Sequence, residues 1–252
     1  GQADVLLKTN EAQVLLPPVR VVTAAPIITR VGILTKGYHP ECGGVLVVGD
    51  CIPEDVPLDQ AVNSLLDLHK DFDFQTPADL SRATAMLLTP ALKTGGFLDV
   101  PTPVDIAEAD ASQAGKGYRQ QLICTVYGES RYMIAQKNGG VGSLDESFCS
   151  GLISGKQFLC FDNIRGELNS TALESMITDS ERVHARVPYR GEVLIDARAV
   201  TIQISSNSMK TTVDLANRSC VVRIRKRPRG YQWHEYPEGD LQAHVEANQS
   251  YY

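Results

Sequence analysis

Residues 155–166 read GKQFLCFDNIRG, and the fold turns on Phe158-Leu159-Cys160-Phe161 and the Asp162-Asn163 that follows. An uninterrupted apolar run bounded by turn residues is the pattern of a strand buried on both faces, as in a parallel sheet. Such strands aim their carboxyl ends at a ligand crevice. Asp162, at that tip, is placed to hold Mg²⁺ directly or through water, which is the physics of a Walker B segment. The same residues also read as a core strand ending in an Asx-turn, and the rest of the chain has to separate the two.

Working outward, residues from about 100 onward alternate strand, loop and helix, the signature of a parallel α/β sheet. Val104–Ala107 is the first strand, followed by a small-residue loop and a helix over Tyr118–Tyr127. Arg131–Ala135 is a second strand, and Ser143 with Glu146 forms a capping-box pattern that opens the next helix. The strand Gln157–Phe161 comes next, then a helix capped by Asn169 or Ser170. A basic, hairpin-like stretch over Arg182–Ala197 leads to the strand Val200–Ile204, which ends in Ser205-Ser206-Asn207-Ser208. A helical turn, Asp214–Arg218, precedes the last strand, Cys220–Ile224. Upstream, residues 1–56 read as short β-branched runs broken by Pro and Gly. Two helical patterns follow, one opened by Pro57 and one by Thr76-Pro77. The expected organisation is an accessory segment over 1–100 (irregular β, then two helices), a core over 101–227, and a carboxyl-terminal tail over 228–252.

Bulk properties bound the function. A hydrophobic content of 43% and a charged content of 21% are those of an ordinary globular protein. No apolar run approaches the ~18 residues of a membrane helix, so we expect neither a membrane span nor a signal peptide. A chain that opens at Gly1 is expected to be processed or part of a longer protein. The six cysteines are scattered without a C-x-x-C pair, which leads us to expect reduced thiols and a cytoplasmic protein. His39, Cys42 and Cys51 could share a zinc ion, at a spacing that is not a standard one. The net charge of −6 conceals a polarity: residues 41–110 hold thirteen acids against three bases, and residues 182–230 hold eleven bases against three acids. That balance argues against non-specific coating of duplex DNA and fits one localised anion-binding face.

Three stretches carry chemistry. Residues 110–117, DASQAGKG, occupy the place of a phosphate loop. Ser112, Gln113, Ala114, Gly115 and Gly117 surround Lys116, and all but Gln113 are small enough to let backbone N–H groups wrap a phosphate at a helix start. Asp110 stands where the first Gly of G-x-x-x-x-G-K-[ST] belongs, and Gly117 where Ser or Thr would ligate Mg²⁺. Asn207, at a strand tip, could sense a γ-phosphate or an attacking water, or simply sit in a turn. Arg218 could serve as an arginine finger to a neighbouring subunit, or form a surface salt bridge. In the basic stretch, Arg182, His184 and Arg186 alternate onto one face, with Tyr189 and Arg190 beyond them. This arrangement suits phosphate contact and base stacking, a subunit interface, or a neighbour's nucleotide.

The order of these elements resembles the P-loop ATPase module of the AAA+ class found in phage and integrative-element replication proteins, akin to superfamily 3 helicases. The resemblance rests on FDNIRGELNSTALESMIT (161–178), ISSNS (204–208) and DLANRS (214–219) with the strand VVRI after it, and covers roughly 100–227. It implies a P-loop NTPase sheet flanked by helices, with ATP and Mg²⁺ as cofactors. Lys116 would then bind phosphate, Asp162 hold the metal, Asn207 act as sensor and Arg218 as the finger in trans. Asn163 departs from the acid that many AAA+ proteins carry after the Walker B Asp. An amide orients water but cannot take its proton, and Glu167 is the possible substitute. The resemblance further implies a DNA-contacting hairpin at Arg182, His184, Arg186, Tyr189 and Arg190. The protein implied is a ring-forming homo-oligomeric motor on single-stranded or forked DNA in mobile-element replication, helicase-like and ATP-hydrolysing. The alternatives are a nucleotide-dependent scaffold or loader, a P-loop small-molecule kinase or transferase, and a structural α/β domain with a decayed site.

Overall fold

A computed structural model describes residues 9, 14–98, 100, 102–137, 142–168, 170–178, 182–187 and 191–252, with Glu167, Val187 and Ser208 described by backbone alone. Tyr189, Arg190 and Asn169 lie outside the described residues. Near the amino terminus the short β-branched runs form β1 (Val21–Thr23), β2 (Ile27–Thr29), β3 (Gly32–Leu34), β4 (Gly37–His39) and β5 (Val45–Val47). Strand β5 joins β1 and β4 in one small sheet, and β2 pairs with β3 in another. Helix α1 (Leu58–Asp67) follows Pro57, then β6 (Asp73–Phe74). Helix α2 (Pro77–Thr94) starts at a complete capping box, in which Thr76 and Asp79 satisfy one another's backbone N–H groups.

The remaining elements are β7 (Val104–Ala109), α3 (Lys116–Val126), β8 (Tyr132–Met133), α4 (Leu144–Ile153), β9 (Phe158–Glu167), α5 (Thr171–Thr178), the hairpin β10 (Arg182–Val187) and β11 (Gly191–Asp196), β12 (Thr201–Lys210), α6 (Val213–Asn217), β13 (Ser219–Arg225) and α7 (Leu241–Ala247). The main sheet runs β6-β13-β7-β12-β9-β8. All its pairs are parallel except β6 on β13. Residues 73–74 therefore extend the same sheet, and α7 packs against α3.

Phe158, Leu159, Cys160 and Phe161 are each 1% exposed or less. On roughly 1.5–3 kcal/mol for each large apolar side chain taken from water, this segment anchors the sheet. Phe161 packs with Phe148 of α4 on one face, and Phe158 with Tyr127 at the end of α3 on the other. Gly151 lets α4 come close: a Cβ there would lie 2.7 Å from Leu159 Cδ2 and 2.9 Å from the Tyr132 ring. The cap of α5 is Ser170, whose Oγ accepts from the Leu173 N–H at 3.1 Å. No helix among the described residues is long and apolar enough to cross a membrane.

Two strands run farther than their apolar cores predict. The expected Gln157–Phe161 and Val200–Ile204 become Phe158–Glu167 and Thr201–Lys210. Phe161 stands opposite Ile204 and Ile164 opposite Ser206, so Asp162 and Asn163 face the single residue Ser205. This is a bulge, a local extra residue that re-aims side chains without ending the pairing. Ser205 Oγ accepts from the Asn163 N–H at 2.8 Å and donates to Asp162 Oδ1 at 2.5 Å. That hydroxyl replaces the missing ladder contact, and Asn163 adopts a φ of 53° to reach it. A second irregularity falls at Asn207, between the Ile164–Ser206 and Arg165–Ser208 pairs.

Candidate functional site

The chain leaves β7 toward β8 and leaves β12 toward β13, in opposite directions across the sheet. In an open parallel sheet, the crevice beyond the carboxyl ends of two strands whose connections diverge is where ligands bind. Lys116 arrives there as the first residue of α3, two residues earlier than the predicted helix start. Gly115 caps the helix at φ 94°, a conformation that costs an L side chain but not glycine. Gln113 is also left-handed, at φ 62°. Together they turn residues 110–115 sharply between β7 and α3.

Lys116 is 9% exposed, and its Nζ donates to Asn207 Oδ1 at 2.5 Å. Burial lowers the lysine below its ordinary pKa, and Asp162 and Asp110 pull it back upward. Three residues predicted as site residues, Lys116, Asp162 and Asn207, are thus drawn together from β9, β12 and the start of α3. Gln136 Nε2 donates to the Asp162 backbone carbonyl, a neighbour the sequence did not announce. Gly117 follows Lys116, and a Cβ there would sit 3.4 Å from Arg131 Nη1. A guanidinium therefore stands beside the position that carries Ser or Thr in the G-x-x-x-x-G-K-[ST] pattern. Ser112 and Gln113 are exposed on the loop, with Lys226 Nζ donating to Gln113 Oε1 at 3.4 Å. Ala114 and Gly115 line the adjacent cavity. Asn163 faces solvent, and Glu167 ends β9.

Arg218 is not brought to this crevice. Its carbonyl accepts from the Val104 N–H at 2.9 Å, which places it at the amino end of β7. Six strand residues, about 20 Å, separate that edge from Lys116. Its Nε donates to Asp214 Oδ1 and Oδ2 at 3.1 and 3.2 Å, and its Nη1 to the Ile177 carbonyl at 3.1 Å. The basic hairpin lies apart from the main sheet and packs on α4 and α5. Arg182, His184 and Arg186 are exposed on one face, while Val183 and Ala185 are buried on the other. His184 Nδ1 lies 3.5 Å from Glu192. As for zinc, His39 Nε2 is 2.7 Å from the Thr35 carbonyl. Among the described residues no group of three or more His, Cys, Asp or Glu is arranged for a metal.

No protein-family model matches the chain, and no curated protein matches it. Among solved structures, the chain is similar to the A form apo structure of the NrS-1 C-terminal region, with 15% identity and a TM-score of 0.48 over 89% of this chain and 49% of that one. It is also similar to SCCmec type IV Cch, an active helicase, with 14% identity and a TM-score of 0.36 over 95% of this chain and 46% of that one. The chain spans about half the length of these structures.

Two features of the site escaped sequence reading. The first is a buried polar network beneath the loop. Arg119 Nη2 donates to Asp105 Oδ1 at 2.5 Å, with both side chains at most 1% exposed. Burial raises the Asp105 carboxyl above the usual range, against the pull of Arg119. Gln120 Nε2 donates to the carbonyls of Asp105 and Ile204, at 3.2 and 3.0 Å, and so bridges β7 and β12. These contacts hold the first turn of α3, and with it Lys116. The available signal was an Asp inside an apolar strand and an Arg one turn beyond Lys116. The second feature is a cavity of about 1090 Å³ beside Ala114 and Gly115, walled by Phe72, Tyr118, Trp233 and Tyr236. The aromatic density of YQWHEY (231–236) was the signal for it.

Proposed function

We propose that the chain is an ATP-binding and ATP-hydrolysing motor domain that assembles as a ring and acts on nucleic acid in the replication of a mobile element. The carrying observation is Lys116 Nζ meeting Asn207 Oδ1 at 2.5 Å, with Asp162 beside it, in the crevice between β7 and β12. A lysine held nearly buried at a helix start, behind a tight loop, fits a polyphosphate. A large aromatic cavity next to that loop fits a base. In this reading Ser112, Gln113, Ala114, Gly115 and Gly117 present backbone to the phosphates, Lys116 adds charge, and Asp162 holds the metal. Bound Mg²⁺ supplies neutralisation of charge on the transferring phosphoryl group. Asn207 orients the γ-phosphate end, and Glu167 serves as the base that Asn163 is not. The position of Arg218, a strand length from its own Lys116, supports action on a neighbouring subunit's site and therefore a ring. The one-sided basic face of β10 supports contact with single-stranded or forked DNA.

A second reading, a nucleotide-dependent scaffold or loader, is favoured by Asn163 and Gly117, which supply neither a proton acceptor nor a metal-ligating hydroxyl. Two variants test the proposal. Lys116→Ala is expected to abolish ATP binding in calorimetry with the fold retained by circular dichroism. Asp162→Ala is expected to lower Mg²⁺-dependent turnover far more than ATP affinity. Unchanged ATP affinity in Lys116→Ala refutes the phosphate-loop assignment. ATP binding without turnover in the wild type leaves the scaffold reading.

A further inference from the structure

We propose that Asp71 clamps the segment 231–236 over the cavity beside Gly115, and so sets affinity for the base end of a nucleotide independently of the phosphate end at Lys116. The inference rests on the nucleotide reading above and adds to it a base-positioning device built by the tail. Asp71 lies between α1 and β6, far from the tail in sequence. Its Oδ1 accepts from the Tyr231 hydroxyl at 3.0 Å and its Oδ2 from the His234 N–H at 3.1 Å. Both carboxylate oxygens are thus engaged by the tail, on either side of Trp233.

Arg227 anchors the start of the same segment. Its Nε donates to the Asp71 carbonyl at 3.0 Å, and its Nη2 to the carbonyls of Lys70 and Phe72 at 3.2 and 3.1 Å. Its guanidinium lies 4.3 Å from the Tyr231 ring centroid, a cation–π contact. Trp233 stands edge-on to Tyr231 at 4.9 Å and is nevertheless 61% exposed. A large aromatic side chain fixed at both flanks yet left uncovered is a surface prepared for a stacking partner.

Charge decides which end of a nucleotide belongs here. Asp71, Glu235 and Asp240 line the cavity, and Arg227 is committed to backbone carbonyls. Three carboxylates repel a polyphosphate, whereas the neutral π-face of a base stacks on Trp233 irrespective of its sequence identity. The phosphates are left to Lys116, on the far side of Gly115.

Trp233 is the sole tryptophan, so its emission reports on this cavity alone. ATP and inorganic tripolyphosphate are titrated by calorimetry into the wild type, Asp71→Ala and Trp233→Ala, with Trp233 emission followed in the first two. In both variants ATP is expected to weaken about tenfold and tripolyphosphate to hold within about twofold. In the wild type, ATP changes Trp233 emission and tripolyphosphate does not. Trp233→Ala alters a largely exposed side chain and keeps the test decisive if Asp71→Ala fails to fold. Equal weakening of both ligands in the variants, or ATP binding that leaves wild-type Trp233 emission unchanged, overturns the clamp alone. A wild type that binds neither ligand overturns the nucleotide reading and the clamp with it.

Discussion

Replacing Asp105 with Ala strands a guanidinium in the centre of the protein. Arg119 is fully buried, and its Nη2 bond to Asp105 at 2.5 Å is the contact that offsets its charge. Arg119 Nε and Nη1 have no hydrogen-bond partner among the described residues, so nothing there takes over the role. Removing one member of a buried ion pair costs about 3–5 kcal/mol, because the remaining charge stays desolvated. At about 2–4 °C per kcal/mol for a chain of this size, the midpoint of thermal unfolding should fall by roughly 6–20 °C. The double variant Asp105→Leu/Arg119→Met removes both charges in apolar side chains of similar volume. It should recover stability to within about 1 kcal/mol of the wild type. Urea unfolding followed by circular dichroism gives the three free energies. ATP affinity should fall in the single variant and return in the double, since Arg119 lies one helical turn beyond Lys116. A cost below about 1 kcal/mol for Asp105→Ala, or a double variant no more stable than the single, refutes the buried-pair reasoning.

The other expectations are shorter. His69 is 2% exposed, and burial, with Arg119 nearby, lowers its pKa from 6.5 to about 4. The unfolded chain takes up the proton first as pH falls, so this contribution is complete above 6.5 and lost toward 4, about 3 kcal/mol in all. His69→Phe should flatten that part of the urea-midpoint profile, and an unchanged slope between pH 6.5 and 4 would count against it. If Arg218 acts in trans, mixing inactive Arg218→Ala with inactive Lys116→Ala should restore part of the ATPase activity. Absence of rescue, with assembly verified by light scattering, assigns Arg218 to its pair with Asp214. Neutralising Arg182 and Arg186 should lower the slope of log affinity against log salt for single-stranded DNA by ~0.7 per lost phosphate contact. An unaltered slope with lost turnover would move these residues to the nucleotide.

What the chain states locally is its periodicity. The apolar run 158–161, the capping serine at 143, the alternating Arg182–Ala185 pattern and the glycine at 115 each act within a few residues, and their consequences are readable from neighbours alone. Strand–loop–helix alternation therefore announces a parallel sheet, and the loop 110–117 and Asp162 stand out within it. Where the strands stop was not legible. The continuation of β9 past Asp162 depends on Ser205, 43 residues away, whose hydroxyl bridges a bulge that no local preference encodes. Strand order is likewise a property of the assembled sheet, and only that order sets Lys116 against Asn207 and carries Arg218 to the opposite edge. The Asp105–Arg119 pair was not legible either, because desolvation is defined by what packs around a group. Asp71, on the cavity wall, is joined to Tyr231 across 160 residues. Contacts at such separation form only after the core has brought their backbones together, so the tertiary structure alone decided them.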